Sequence, residues 1–223
     1  MRKLAVNLAG CTGAVMIVMV IVSLVTGATQ EAHEHYALPE PYAMSLLAHA
    51  NALRGVFALD IAFIVAYTAF FAALSAYLVE RGRPFAKLAF GAMAIVAVLD
   101  IVEDHHIVSL LDAAEQSVLP TAGAIAFQVV ESTTKFSLSY LSLFLYGLAI
   151  PRDTKLGWVL SLFLTAGTLL NAIVGYSLPQ SAMHAFDSGR WIGFLVGIGL
   201  AIAWLLKQAD RTPTTGFTPA PGP

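Results

Sequence analysis

Five acids stand inside long apolar stretches of this sequence: Asp60, Asp100, Glu103, Asp104 and Glu131. A charged side chain deep in a bilayer costs about 2.5–3.5 kcal/mol on insertion scales, so each needs a partner or a wet cavity. Lys135 follows Glu131 by four residues, a spacing that lets opposite charges meet on one helix face. Gln128 and Thr134 lie nearby. Such a set suits proton or cation binding, or a catalytic site.

Metal ligation is a second chemistry within reach. Glu103-x-x-His106 has the Glu-x-x-His spacing of di-iron bundles, with both side chains on one helix face. Those bundles use a second such motif, and the sequence has none. His49 and His184 fall at the same membrane interface as His106, and His33 and His35 lie in a nearby loop. Together they could hold a divalent metal such as zinc, copper or iron. A catalytic zinc would polarise a bound water and hydrolyse a lipid or amide. Ser137, Ser139 and Ser142 have no Gly-x-Ser-x-Gly context, so a nucleophile elbow is unsupported.

These residues must be positioned by membrane helices. The chain has 223 residues, of which 58% are hydrophobic and 12% charged. Soluble domains carry about 25% charged residues. A span needs about 20 apolar residues, and six segments qualify: Leu4–Thr26, Val56–Val79, Phe85–Leu110, Gly123–Ile150, Leu156–Leu178 and Trp191–Leu206. Pro39, Pro41, Gly82, Pro84, Pro120, Pro151 and Pro179 punctuate the linkers. The expected fold is all-α, a polytopic membrane helical bundle forming one domain over residues 1–207. Residues 208–223, rich in Thr, Pro and Gly, form an expected disordered cytoplasmic tail. Tyr42–Ala50 is a candidate interfacial helix. The formal net charge of -2 offers no field for nucleic acid.

Loop charges orient the spans. Arg2, Lys3, Arg81, Arg83, Lys87, Arg152, Lys155, Lys207 and Arg211 all fall on one side of a six-span chain. Glu31, Glu34, Glu40, Asp112, Glu115 and Asp187 fall on the other, with only Arg54 and Arg190. The positive-inside rule then places both termini in the cytoplasm. The N-terminus also resembles a secretory signal peptide ending at Thr26-Gly27-Ala28. Its apolar run is longer than a typical signal core, which favours a retained first span.

With that orientation, depth groups the acids. The helix rise puts Asp60 and Asp100 each about 9 Å below the outer surface, and Glu131 about 12 Å below it. Asn171 falls at a similar level. Asp100, Glu103, Asp104 and Ile107 share one helix face, while His105 points nearly opposite Asp100. An acid near a helix end can also simply reach interfacial water, and Glu131 and Lys135 can simply neutralise each other. The shared depth argues instead for a common cavity in the outer leaflet. Gly189, Gly193 and Gly197 recur every four residues, a spacing that permits close helix packing or a homodimer face.

The stretch Asn51–Asp104 resembles a group of uncharacterised bacterial six-helix integral membrane proteins. Their second helix carries an Arg followed by an Asp, here Arg54 and Asp60, and their third ends in Asp-x-x-Glu, here Asp100 and Glu103. The resemblance implies a bacterial plasma (inner) membrane location and adds Arg54 to the candidate site. The expected function is binding or transport of a small solute, proton or cation. A membrane-embedded enzyme acting on a lipid or apolar substrate, and an accessory subunit of a larger complex, are the alternatives. Membrane lipids are partners in each case.

Overall fold

The computed structural model describes residues 1–179 and 183–208, without the side chains of 183–185 and 188. Apart from Gln208, the expected disordered tail lies outside the described residues, as does the His184 side chain. Among the described residues the chain is all-helical, with no strand.

The order is α1 (Arg2–Thr26), a short 3₁₀ turn (Glu31–His33), α2 (Pro39–Ala48), α3 (Ala50–Val79), α4 (Phe85–Glu115) and α5 (Ala122–Ala149). Then come α6 (Lys155–Leu162), a π-helical turn (Phe163–Gly167), α7 (Thr168–Ser177) and α8 (Met183–Lys207). Among the described residues five stretches are long and apolar enough to cross a membrane: α1, α3, α4, the continuous Lys155–Ser177 run, and Gly189–Lys207 of α8. The helix α5 is also long, but Gln128, Glu131, Lys135 and its many Ser and Thr residues make it more polar.

Local chemistry explains the boundaries. Gly27 ends α1 in the left-handed region (φ 71°), where a residue without Cβ is unstrained. Pro39 opens α2 where no N–H is needed. Thr121 and Thr154 cap α5 and α6, their hydroxyls accepting from Ala124 N (3.1 Å) and Gly157 N (2.9 Å). The short helix expected over Tyr42–Ala50 appears as α2, which begins three residues earlier and ends two residues earlier.

The packing inverts that of a soluble protein. Large apolar side chains such as Ile21, Leu24, Val65, Leu88, Val98 and Ile173 face outward, whereas Asp60, Glu103, Asp104, Gln128 and Lys135 are buried. Charged residues are almost never inside a soluble fold unless paired. The most extensive packing joins α4 to α5, α1 to α3, and α3 to α4. Two apolar clusters result. One gathers Leu53, Val56 and Phe57 with Ile107, Leu111, Ile125 and α2. The other holds Phe63 to Leu78 of α3 with Met93, Tyr146, Leu160 and Trp204. The polar residues of α3, α4 and α5 lie between the two along each helix.

Direct polar contacts tie the larger cluster across helices. Tyr146 Oη donates to Phe71 O (3.0 Å) and Ser142 Oγ to Ala89 O (2.8 Å). Interhelical bonds of this kind contribute on average about 0.6 kcal/mol each within membranes. At Gly147 an added Cβ would stand 2.7 Å from Thr165 Cγ2, so only glycine lets α5 approach the π turn this closely.

Candidate functional site

Helix phase brings the acids of α3 and α4 together. Asp60 projects from α3, and Asp100, Glu103 and Asp104 project from one face of α4. Lys135 of α5 enters between them. Its Nζ pairs with Asp100 Oδ1 at 2.9 Å, with Glu103 Oε2 in closer contact, and lies 3.7 Å from Glu34 Oε1. Gln128 Nε2 donates to Glu103 Oε1 (3.1 Å), and Tyr67 Oη donates to Asp100 Oδ2 (2.8 Å). Glu103 is fully buried, and an uncompensated charge there would be strongly unfavourable.

The segment after α1 folds down over this layer. Gln30 Nε2 donates to Asp104 Oδ1 (3.0 Å), leaving Asp104 Oδ2 without a donor among the described residues. Glu34 Oε2 meets Arg190 of α8 at 3.0 Å, and Trp191 Nε1 donates to Glu31 Oε1. Arg190 also pairs with Asp187 Oδ1 at 2.6 Å, and its guanidinium lies 3.7 Å from the Phe136 ring centroid. His35 Nε2 meets Asp187 Oδ2 at 2.9 Å. Burial pushes the Glu31 carboxyl upward, and the neighbouring Glu34 adds to the shift. Hydrogen bonding to Asp187 raises His35, while burial lowers His33. His33 is held by Thr29 O (3.3 Å) and Ser45 Oγ (3.2 Å).

These groups enclose a cavity of about 130 Å³ lined by Asp60, Asp100, Glu31, Glu34, Lys135 and Arg190, with Phe63, Tyr67, Phe136, Trp191 and Phe194 among its apolar walls. Asp60 is 4% exposed and has no ion pair with a cation among the described residues, and the nearby groups of α4 are the acids Asp100 and Asp104. Acids crowded at a buried position resist all being ionised at once, which favours one of them keeping a proton. Among the described residues acids outnumber cations throughout the layer: Glu31, Glu34, Asp60, Asp100, Glu103, Asp104 and Asp187 face Lys135 and Arg190, with His35 at the edge.

The sequence-derived residues divide into groups. Asp60, Asp100, Glu103, Asp104 and Lys135 converge. Glu131 does not pair with Lys135: its Oε2 meets His106 Nδ1 at 2.6 Å on the side toward Phe127. Lys135 has the denser set of acids on α4 within reach, and those carry the ion pair instead. Arg54 lies apart, pairing with Asp112 (2.6 Å) and Glu115 (2.8 Å) at the surface. Asn171 lines a second cavity that it shares with Arg190.

Glu103 and His106 have separate partners, and His49 is exposed at the α2–α3 turn. Among the described residues no three metal-ligating side chains form a group that could hold an ion. Gly189, Gly193 and Gly197 border the second cavity. Glu31, Glu34, Asp187 and Arg190 were legible only as loop charges, and their place in the site comes from tertiary folding. Compared with known proteins, the chain matches no family model, no curated protein and no solved structure.

Proposed function

We propose that this is a bacterial plasma-membrane protein with six spans and both ends in the cytoplasm. Its acidic cavity, open to the outer side, binds a small solute together with a proton or cation, in a transport or solute-binding role. The length of α5, 28 residues, supports the sixth span. At the α-helical rise it extends about 42 Å, against about 30 Å of hydrocarbon. Its strongly polar residues Gln128, Ser132 and Lys135 are buried, so they need not face lipid. The Arg- and Lys-rich loops at Arg81–Lys87 and Arg152–Lys155 support the orientation.

The observation that carries the binding function is the buried acids Asp60 and Asp104, the latter with its Oδ2 unpartnered among the described residues, beside a cavity whose layer has more acids than cations. Such a pair holds one proton and releases it when a cation arrives or the pair separates. Infrared spectroscopy of the protein in lipid nanodiscs tests this. A protonated carboxylic acid band is expected at neutral pH, lost in Asp60→Asn and in Asp104→Asn. Its absence from the unmutated protein would overturn the proton-holding role.

A further inference from the structure

The acidic cavity continues into a larger one. A cleft of about 310 Å³ shares Phe136, Ser139, Arg190 and Phe194 with it. It follows α8 from Gly189 to Ala201, a rise of about 18 Å, and α5 from Phe136 to Leu143, about 10 Å, reaching Ile150 just past the end of α5. Its walls are mostly apolar, and the π turn Phe163–Gly167 forms part of its far side. Turns of this kind inside α-helices recur at functional sites. Glycine keeps the near side open: a Cβ added at Gly189 or Gly193 would meet no atom within 4 Å. The cleft therefore has the long, narrow, apolar form that suits an alkyl chain.

The polar end selects the head group. Arg190 offers no free positive charge, because Glu34 and Asp187 already flank it. The adjoining cavity presents Glu31, Glu34, Asp60 and Asp100 against two cations. Asp60 is nearly fully buried and, unlike Asp100, has no ion pair with Lys135 or another cation among the described residues. Tyr67 and Trp191 add aromatic surface, which attracts cations. An anionic head would meet net repulsion there, and an ammonium would meet attraction.

We infer that the two cavities form one site for a long-chain amine, with the alkyl chain along α8 and the ammonium among Asp60, Asp100 and the aromatic rings. This rests on the proton-holding role of the acidic cavity: the ammonium takes the position of the held proton, which leaves to water.

The test is photolabelling in nanodiscs with a long-chain amine that carries a diazirine in its chain, mapped by mass spectrometry. Labelling is expected around Phe163 and Gly193, competed by dodecylamine at least tenfold better than by dodecanoate or butylamine. Gly193→Leu fills the cleft and should reduce labelling at least tenfold while leaving the infrared carboxyl band intact. Gly189→Leu, nearer the polar end, serves where Gly193→Leu does not fold. Equal competition by dodecanoate overturns the amine head, and equal competition by butylamine overturns the chain cleft. Undiminished labelling in a folded glycine variant also overturns the cleft. Loss of these labelling results with the carboxyl band present leaves the proton-holding role standing. Correct labelling without the band removes that role and leaves the amine site.

Discussion

Lys135 and Arg54 each hold more than one carboxylate, and they stand in opposite surroundings. The Lys135 side chain is 6% exposed, against Asp100 at 13% and Glu103 at 0%. Arg54 is 40% exposed, against Asp112 at 50% and Glu115 at 40%. At the surface, water solvates either ion once the pair opens, so the pair adds little. Inside the bundle only the partner does so. Similar residue types therefore stand in different roles: the buried cluster lines an internal cavity with charge, and the exposed one decorates a helix end.

The strongest way to break that comparison is Lys135→Ala. Removing one partner of a buried ion pair typically destabilises by about 3–5 kcal/mol. The loss should shrink as pH falls, because acidification neutralises carboxylates left without a partner. Thermal unfolding of the purified protein over a pH series measures both effects. A loss that is small, or equal at every pH, would show that Lys135 does not compensate these acids.

The buried cluster was also the more legible of the two. Asp60, Asp100 and Glu103 interrupt apolar spans, and the helix rise alone places them near one level. Phase then put Asp104 on the Glu103 face and His105 away from it, and His105 is indeed exposed. What the sequence could not supply was partner choice. Four-residue spacing offered Glu131 to Lys135, but spacing within one helix says nothing of what a neighbouring helix presents. Across the α4–α5 interface Glu103 and Asp100 were within reach, and Glu131 was left to His106. Glu34 and Arg190, 156 positions apart, pair because the segment after α1 folds onto α8. No local pattern marks that contact. The cleft beside α8 was hidden for a similar reason. Glycines at four-residue spacing suggest close packing, and only the three-dimensional arrangement shows space beside them.

An intermediate case sharpens the comparison. His35 is 29% exposed and meets the nearly buried Asp187, so its surroundings lie between those of Lys135 and Arg54. Its hydrogen bond to Asp187 raises it above the ordinary value of 6.5. The charged pair therefore contributes fully below about 6.5, and the contribution disappears as pH rises through the raised value. His35→Gln keeps a hydrogen-bonding group but cannot carry the charge. The gap in thermal midpoint between the unmutated protein and His35→Gln should be widest on the acid side and close as pH increases. A gap constant with pH would assign His35 a packing role only.

Arg54→Ala should have the smallest effect, although Arg54 lies on the same helix as Asp60. Its side chain is about as exposed as those of its two acids. Water replaces the pair at little loss, and salt screens what remains, with a Debye length of about 8 Å at physiological ionic strength. The expected shift in thermal midpoint is therefore slight and smaller still in high salt. The infrared carboxyl band and the amine labelling should be unchanged, because Arg54 touches neither cavity. A loss comparable to that of Lys135→Ala would mean that exposure does not separate the two clusters. A change in labelling without a change in stability would extend the site to the start of α3 and give the Arg-then-Asp motif a role in binding.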